Sequence, residues 1–389
     1  MRIAIIADDI VKEGGTKEVI KHMRRALIDD KDNQLSIEYV NSEKYFPRYL
    51  PTKWKDLFRI FYLGKISNAD DFSQFDVIIT LQPDSHCISH RYHIVYFQHH
   101  IKQYYDLFWQ SFRQRKRLKK KMVFLLLTAV ARLADRIYLT PNLRRAYVIA
   151  NSQTVGKRLK KYNQISNFSV INPGCNNKIV APAPPLSKDQ ITTLNNDNDD
   201  DDNNSNNDTL QKKNEPHLLL AFSRLNVMQK GIDIILEAAS ITPHHIFVIA
   251  GPYDATVESI DKGSLPPNVQ LIVREFSDEA KAELFNKCDV FLAPYIKEDF
   301  GITPLEANAY GKPVVYCDDS GEITYTQKHK ETGFMCRRNP QAMVEGIEYC
   351  MTNKERMKMA CVDNATRYSW QSFEKSFRTY FNNLKKNKT

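Results

Sequence analysis

Short apolar runs recur along the chain with loops and amphipathic stretches between them, which is how strands buried in an α/β sheet read. Residues 3–7, 35–40, 75–80 and 93–100 form such runs in the first half, the last ending in two histidines. Residues 147–153 and 168–174 follow, with Ser152 placed to cap a helix between them. A second series starts at 218–225 and continues through 246–251, 269–273, 290–293 and 314–316. The stretches between these runs predict helices. One runs from the loop Glu13, Gly14, Gly15, Thr16 to about residue 29, and one spans 232–239. A short one begins at Thr303 and ends at Gly311, and a basic amphipathic one runs from Trp370 to 386.

Residues 181–215 break the pattern. A Pro-rich start leads into a run of Asn and Asp over 195–208 that cannot bury apolar surface, so a disordered linker insertion is expected there. Its consecutive aspartates are not a metal motif, because nothing fixes their geometry. At 389 residues the rest is long enough for two cores. The boundaries expected are 1–176 for the first domain, 177–215 for the insertion, 216–365 for the second domain and 366–389 for a closing helix. Seven scattered cysteines without a C-x-x-C pair point to free thiols in a reducing compartment and against a zinc site. No signal peptide opens the sequence, and the longest apolar run, 122–131, is about half of what a membrane span needs. A cytoplasmic protein is expected.

The net charge is +9 even with the acidic insertion, which fits an anionic partner. The densest cations are residues 113–121, followed at once by the apolar run from Met122. Leu118 is the sole apolar residue inside the basic run, so the pattern favours an electrostatic contact with a membrane surface over an inserted helix. Aromatic interleaving is thin and no nucleic-acid signature is present, so no nucleic acid is expected as partner.

Candidate chemistry concentrates after the run 290–293. Pro294 stops the strand, Glu298 to Gly301 make a loop, and Thr303 and Pro304 read as N-cap and first helical residue, with Glu306 in the capping-box position. A helix opening there aims bare N–H groups and a positive dipole end at an anion. Glu298 and Glu306 cannot bind phosphate, but they can accept hydrogen bonds from sugar or ribose hydroxyls. Further upstream, Arg224 and Lys230 flank the start of a helix after the strand at 218–225, where two cations can clamp a diphosphate.

Glu298 and Glu306, with seven residues between them, Phe300-Gly301 after the first and an alternating Ala–Gly–Pro tail after the second, resemble the E-x7-E signature of retaining GT-B glycosyltransferases, family 4 type. The resemblance implies two Rossmann-like domains facing each other across a cleft, with the C-terminal helix packing back on the first domain. It implies a nucleotide-diphosphate-sugar donor, a glycan, lipid-linked or small-molecule hydroxyl acceptor, and metal-independent hexosyl transfer without a cofactor. By the same resemblance Glu298 meets a donor-sugar hydroxyl, Glu306 the ribose, and Phe300, Gly301, Ile302 and Thr303 border the donor. Arg224 and Lys230 hold the phosphates, Gly14 and Gly15 form the loop over them, and His99, with His100 second, faces the sugar. Ser223 stands where the family has Gly, Asn172-Pro173-Gly174 inverts a family order, and an acid expected after Gly321 is displaced by Ile323-Thr324. These departures keep a non-catalytic nucleotide-sugar binder or a membrane-surface scaffold on the same fold as the alternative.

Overall fold

The computed structural model describes residues 1–8, 15–28, 34–40, 56–68, 72–176 and 216–386. Gly14, the linker insertion and the end of the chain after 386 lie outside them. The chain divides into two compact units, 1–174 with 368–389, and 175–367.

The first unit is built on strands β1 (Arg2–Asp8), β2 (Gln34–Val40), β3 (Val77–Thr80), β4 (His93–Phe97), β5 (Tyr147–Ala150) and β6 (Ser169–Val170). They pair in the order β2-β1-β3-β4-β5-β6, all parallel. Helices α1 (Gly15–Ile28), α2 (Arg59–Ser67), α3 (Phe108–Arg113), α4 (Leu118–Ala134), α5 (Thr140–Arg145) and α6 (Gln153–Arg158) cover the sheet. Ser152 caps α6, accepting from the Val155 N–H at 3.1 Å. One sheet face packs Ala4, Ile6, Ile78, Val95 and Phe97 against α2 and its neighbours. The other packs Ile3, Ile5, Ile79, Ile94 and Tyr96 against α1 and the last helix of the chain.

The second unit carries β7 (Leu218–Phe222), β8 (Ile246–Gly251), β9 (Val269–Val273), β10 (Val290–Ala293), β11 (Val314–Cys317) and β12 (Gly333–Cys336). Their order is β12-β11-β10-β7-β8-β9, again parallel. The first strand therefore sits mid-sheet with β10 on one side and β8 on the other, and the order reverses at the β7–β10 pair. In such sheets ligands bind beyond the carboxyl ends of the strands at this switch point. The helices are α7 (Val227–Lys230), α8 (Ile232–Ile241), α9 (Asp278–Lys287), α10 (Ile302–Ala309), α11 (Ile323–Thr326) and α12 (Pro340–Arg367).

The last helix, α13 (Trp370–Lys386), returns to the first unit. Trp370, Phe373, Phe377 and Phe381 recur at helical spacing and are all buried in that unit's core. Trp370 stacks on His22 of α1 with ring centroids 4.3 Å apart, and His22 Nδ1 lies 2.6 Å from Glu374 Oε1. This is the closing helix expected from the sequence.

All seven cysteines are free and buried. Among the described residues no helix is long and apolar enough to cross a membrane.

Candidate functional site

Arg224 and Lys230 follow β7, and Glu298, Gly301, Thr303 and Glu306 follow β10, the two strands of the switch point. Beyond β10 the chain leaves Ala293, and Arg338 of the second unit holds the exit: its Nη1 donates to the Pro294 carbonyl at 2.9 Å and its Nη2 to the Tyr295 carbonyl at 2.9 Å. Lys297 then adopts a left-handed φ of 48°, rare without a glycine and typical of backbone over-determined at a site. Glu298 comes next. Its N–H donates to the Ser320 carbonyl at 3.3 Å, and its own carbonyl accepts from the Glu322 N–H at 3.1 Å. Gly321 makes this approach possible, because a Cβ there would lie 2.4 Å from the Glu298 carbonyl oxygen.

Helix α10 begins two residues earlier than the sequence suggested. Gly301, with φ of +85°, is the N-cap, and Ile302 is the first helical residue. Thr303 is therefore inside the helix. Its hydroxyl lies 3.1 Å from the Tyr295 hydroxyl instead of capping, and Glu306 is not a capping-box acid. The reason is local: a left-handed turn closes the Glu298 loop before Thr303, and glycine occupies it without steric cost.

Lys230, the last residue of α7, reaches Glu298 across the switch point, with Nζ 2.7 Å from Oε2. The same ammonium sits 4.0 Å from the centroid of the buried Tyr295 ring. Asn226 caps α7 by accepting from the Gln229 N–H at 3.0 Å, which fixes where Lys230 starts. Arg224 is exposed at the end of β7, and its guanidinium is one of the influences holding the Asp254 carboxyl below its ordinary range. Phe300 is buried.

Glu306 lies inside the first turns of α10 and is buried. Its partner is Lys281 of α9, whose Nζ lies 2.7 Å from Oε1 and 2.6 Å from Oε2. The Lys281 ammonium therefore holds both oxygens of the buried carboxylate. Lys281 and Arg338 were invisible in the sequence, since each serves the loop from far along the chain. Glu322, which adjoins Gly321, is buried at the N-cap position of the short α11 and makes no side-chain capping bond there.

In the first unit, the Thr16 hydroxyl donates to Gln98 Oε1 at 2.8 Å, which draws the start of α1 at Gly15 to the end of β4. His99 follows β4 and is half-buried. His100 is enclosed: Nε2 lies 2.7 Å from Asn163 Oδ1, the Phe97, Tyr105 and Tyr162 rings surround it, and burial pushes its imidazole below its ordinary range. Of the two histidines, His100 is committed to packing. Among the described residues, one group has metal-donor spacing, His244, His245 and Glu348, with ligand atoms within 4.8 Å of one another. It sits before β8, at the opposite strand end from the switch point.

A parallel sheet in each unit, a strand reversal lined by two glutamates and cations, and a last helix returned to the first unit define the GT-B glycosyltransferase fold. Residues 202–368 match the family model Glycosyl transferases group 1. It is similar to the human Alpha-1,3/1,6-mannosyltransferase ALG2, 30% identical over 160 residues that cover 36% of this chain and 38% of that protein. The O-antigen chain mannosyltransferase C of Escherichia coli is 29% identical over 130 residues, 32% of this chain and 35% of its own length. The chain thus spans well under half the length of these relatives. Among solved structures, the sucrose-phosphate synthase of Thermosynechococcus elongatus superposes with a TM-score of 0.68 at 16% identity, over 99% of both chains. The Anabaena protein Alr3699/HepE in complex with UDP and glucose gives 0.65 at 15% identity, over 98% of this chain and 100% of that one.

Proposed function

We propose that the chain moves a hexose from a nucleotide-diphosphate sugar to a hydroxyl of a glycan, lipid-linked or small-molecule acceptor, with retention of configuration and without a metal. The observation that carries this reading is the pair of lysine-held carboxylates at the switch point, Glu298 with Lys230 and the buried Glu306 with Lys281. An acceptor fixed in this way at a switch point suits the ribose hydroxyls of a nucleotide. The relatives named for mannose, and the neighbour bound to UDP and glucose, fit a nucleotide-sugar donor.

Departure of the diphosphate places negative charge on the leaving group and positive charge on the sugar. Lys230, Arg224 and the bare N–H groups opening α10 supply preorganised positive charge for the former. Lys230 is paired with Glu298 before the donor arrives. Donor binding exchanges partners: the ammonium turns to the diphosphate, and the freed Glu298 carboxylate accepts from a sugar hydroxyl. Phe300, Gly301, Ile302 and Thr303 border the donor through the loop and first helical turn. In the first unit His99, Gly15 and, outside the described residues, Gly14 serve the donor and acceptor. The acceptor hydroxyl attacks from the face the diphosphate leaves, which keeps the configuration.

The test is thermal stabilisation by a panel of nucleotide sugars, mannose donors first, in the presence of a chelator. A shift with one donor that Glu306→Gln loses, followed by transfer with a retained anomer, supports the proposal. A shift without turnover on any acceptor would make the chain a nucleotide-sugar binder. No shift with any donor overturns the reading.

A further inference from the structure

Helix α4 is apolar on two opposite faces, and the fold uses one. Phe124, Thr128, Ala131 and Ala134 face inward and are buried. On the other side Leu118, Met122 and Leu126 are 74%, 59% and 55% exposed, and Leu125, Leu133 and, in the next turn, Ile137 are exposed with them. These positions follow one another at steps of three, four and seven residues, so they fall on one side of the helix. A helix hydrophobic all round is ordinarily enclosed, and a contiguous exposed apolar stripe marks a surface that something covers. Trp109 of α3, which packs beside the start of α4 through the Phe108–Phe124 contact, adds an exposed indole.

Charge identifies the cover. From residue 107 to 134 the chain has eight Lys and Arg and no Asp or Glu. Arg113, Lys116, Arg117, Lys119 and Lys120 are exposed around the first turns of α4. The bounding acids do not neutralise them. Asp106 is paired with Arg158 and accepts from the Tyr162 hydroxyl, and Asp135 is buried with Arg59 and Tyr105. A second copy of the chain on this stripe would bring like charges together. An anionic bilayer satisfies both features at once, with headgroups for the cations and the acyl boundary for the stripe. We propose that α4 lies in the plane of an anionic lipid surface with Leu118, Met122, Leu125, Leu126 and Leu133 inserted and the cations of 113–121 on the headgroups. This goes beyond the electrostatic contact expected from the sequence, where the apolar stripe starting at Leu118 was hidden in the helical periodicity. It is independent of whether the chain transfers sugar.

Vesicle flotation of the full chain tests it, with phosphatidylcholine vesicles containing or lacking phosphatidylglycerol. Binding is expected only with the anionic lipid, with brominated acyl chains quenching Trp109 fluorescence and Trp109→Phe removing that quenching. The double variant Met122→Glu, Leu126→Glu is expected to bind at least about tenfold more weakly with an unchanged unfolding midpoint, since both positions are solvent-facing. Lys119→Ser with Lys120→Ser is expected to weaken binding as well. Wild-type affinity in the Glu variant, or binding abolished by salt alone with no quenching, overturns insertion. Failure of the wild type to float, with light scattering showing a dimer that the Glu variant dissolves, makes the stripe a self-interface and overturns the proposal.

Discussion

In the first unit the Arg59 guanidinium is fully enclosed, meeting Asp84 at 2.7 Å and Asp135 at 3.2 Å, while the Tyr62 and Tyr105 hydroxyls donate to the same two carboxylates at 3.0 and 2.7 Å. In the second, Lys230 and Glu298 pair at 2.7 Å but remain partly open, and Lys281 pairs with Glu306 at 2.6 Å. Both arrangements put charge inside an α/β unit. The first ties a cation to two carboxylates deep in the core, where no ligand reaches it. The second sets its pairs at the end of a sheet, where a ligand can exchange partners with them. Access to buried charge, rather than its presence, separates scaffold from site.

The comparison can be broken from its structural side first. Arg59→Met leaves Asp84 and Asp135 buried without their cation and is expected to lower stability by about 3–5 kcal/mol, read from urea unfolding. Lys230→Ala should do the opposite: a folded protein whose kcat/KM for transfer drops by about 100- to 1,000-fold. A variant that unfolds at Lys230, or one at Arg59 that keeps full stability, would merge the two classes.

Acid sharpens it further. In the first unit Thr80 Oγ1 lies 2.8 Å from both His86 Nδ1 and His93 Nε2, and burial pushes His93 down to about 3 and His86 well below its ordinary range. Burial keeps both imidazoles neutral, and the hydroxyl can then donate to one ring and accept from the other. The unfolded chain binds protons near pH 6.5 that the folded one refuses, so stability falls as pH drops from about 6.5 toward 3. The slope is about 1.4 kcal/mol per pH unit for each histidine. Urea midpoints at pH 7 and 5 should differ accordingly, and His93→Gln should flatten the dependence. The smallest effect expected is at Gly301. A side chain at its φ of +85° costs about 1–2 kcal/mol, and Gly301→Ala should lower the unfolding midpoint modestly while displacing the start of α10 and weakening donor-induced stabilisation.

Much of this was legible in the sequence because the informative residues are neighbours. Glu298, Gly301 and Glu306 occupy one loop and one helix, and the apolar runs around them marked β10 and β11 correctly. The helix starts earlier than Thr303 followed by Pro304 suggests, because the left-handed turn at Gly301, where an added Cβ would lie 2.9 Å from Ile323 Cγ1, closes the loop first. His99 and His100 could not be told apart locally, since the group that encloses His100 is Asn163 on another element. Lys281 and Arg338 stayed hidden for the same reason: a cation's partner is defined by the fold, not by its neighbours in the chain.

The return of α13 to the first unit has a consequence for how the chain is made. Synthesis delivers β1 to β6 long before Trp370, Phe373, Phe377 and Phe381, so the part of one sheet face that α1 does not cover must wait through the translation of the entire second unit. The second unit, contiguous in sequence, can complete itself first. The part of the molecule that begins to emerge earliest is the part that finishes last, and an arrest of the ribosome before residue 370 would leave part of an apolar sheet face open to chaperones.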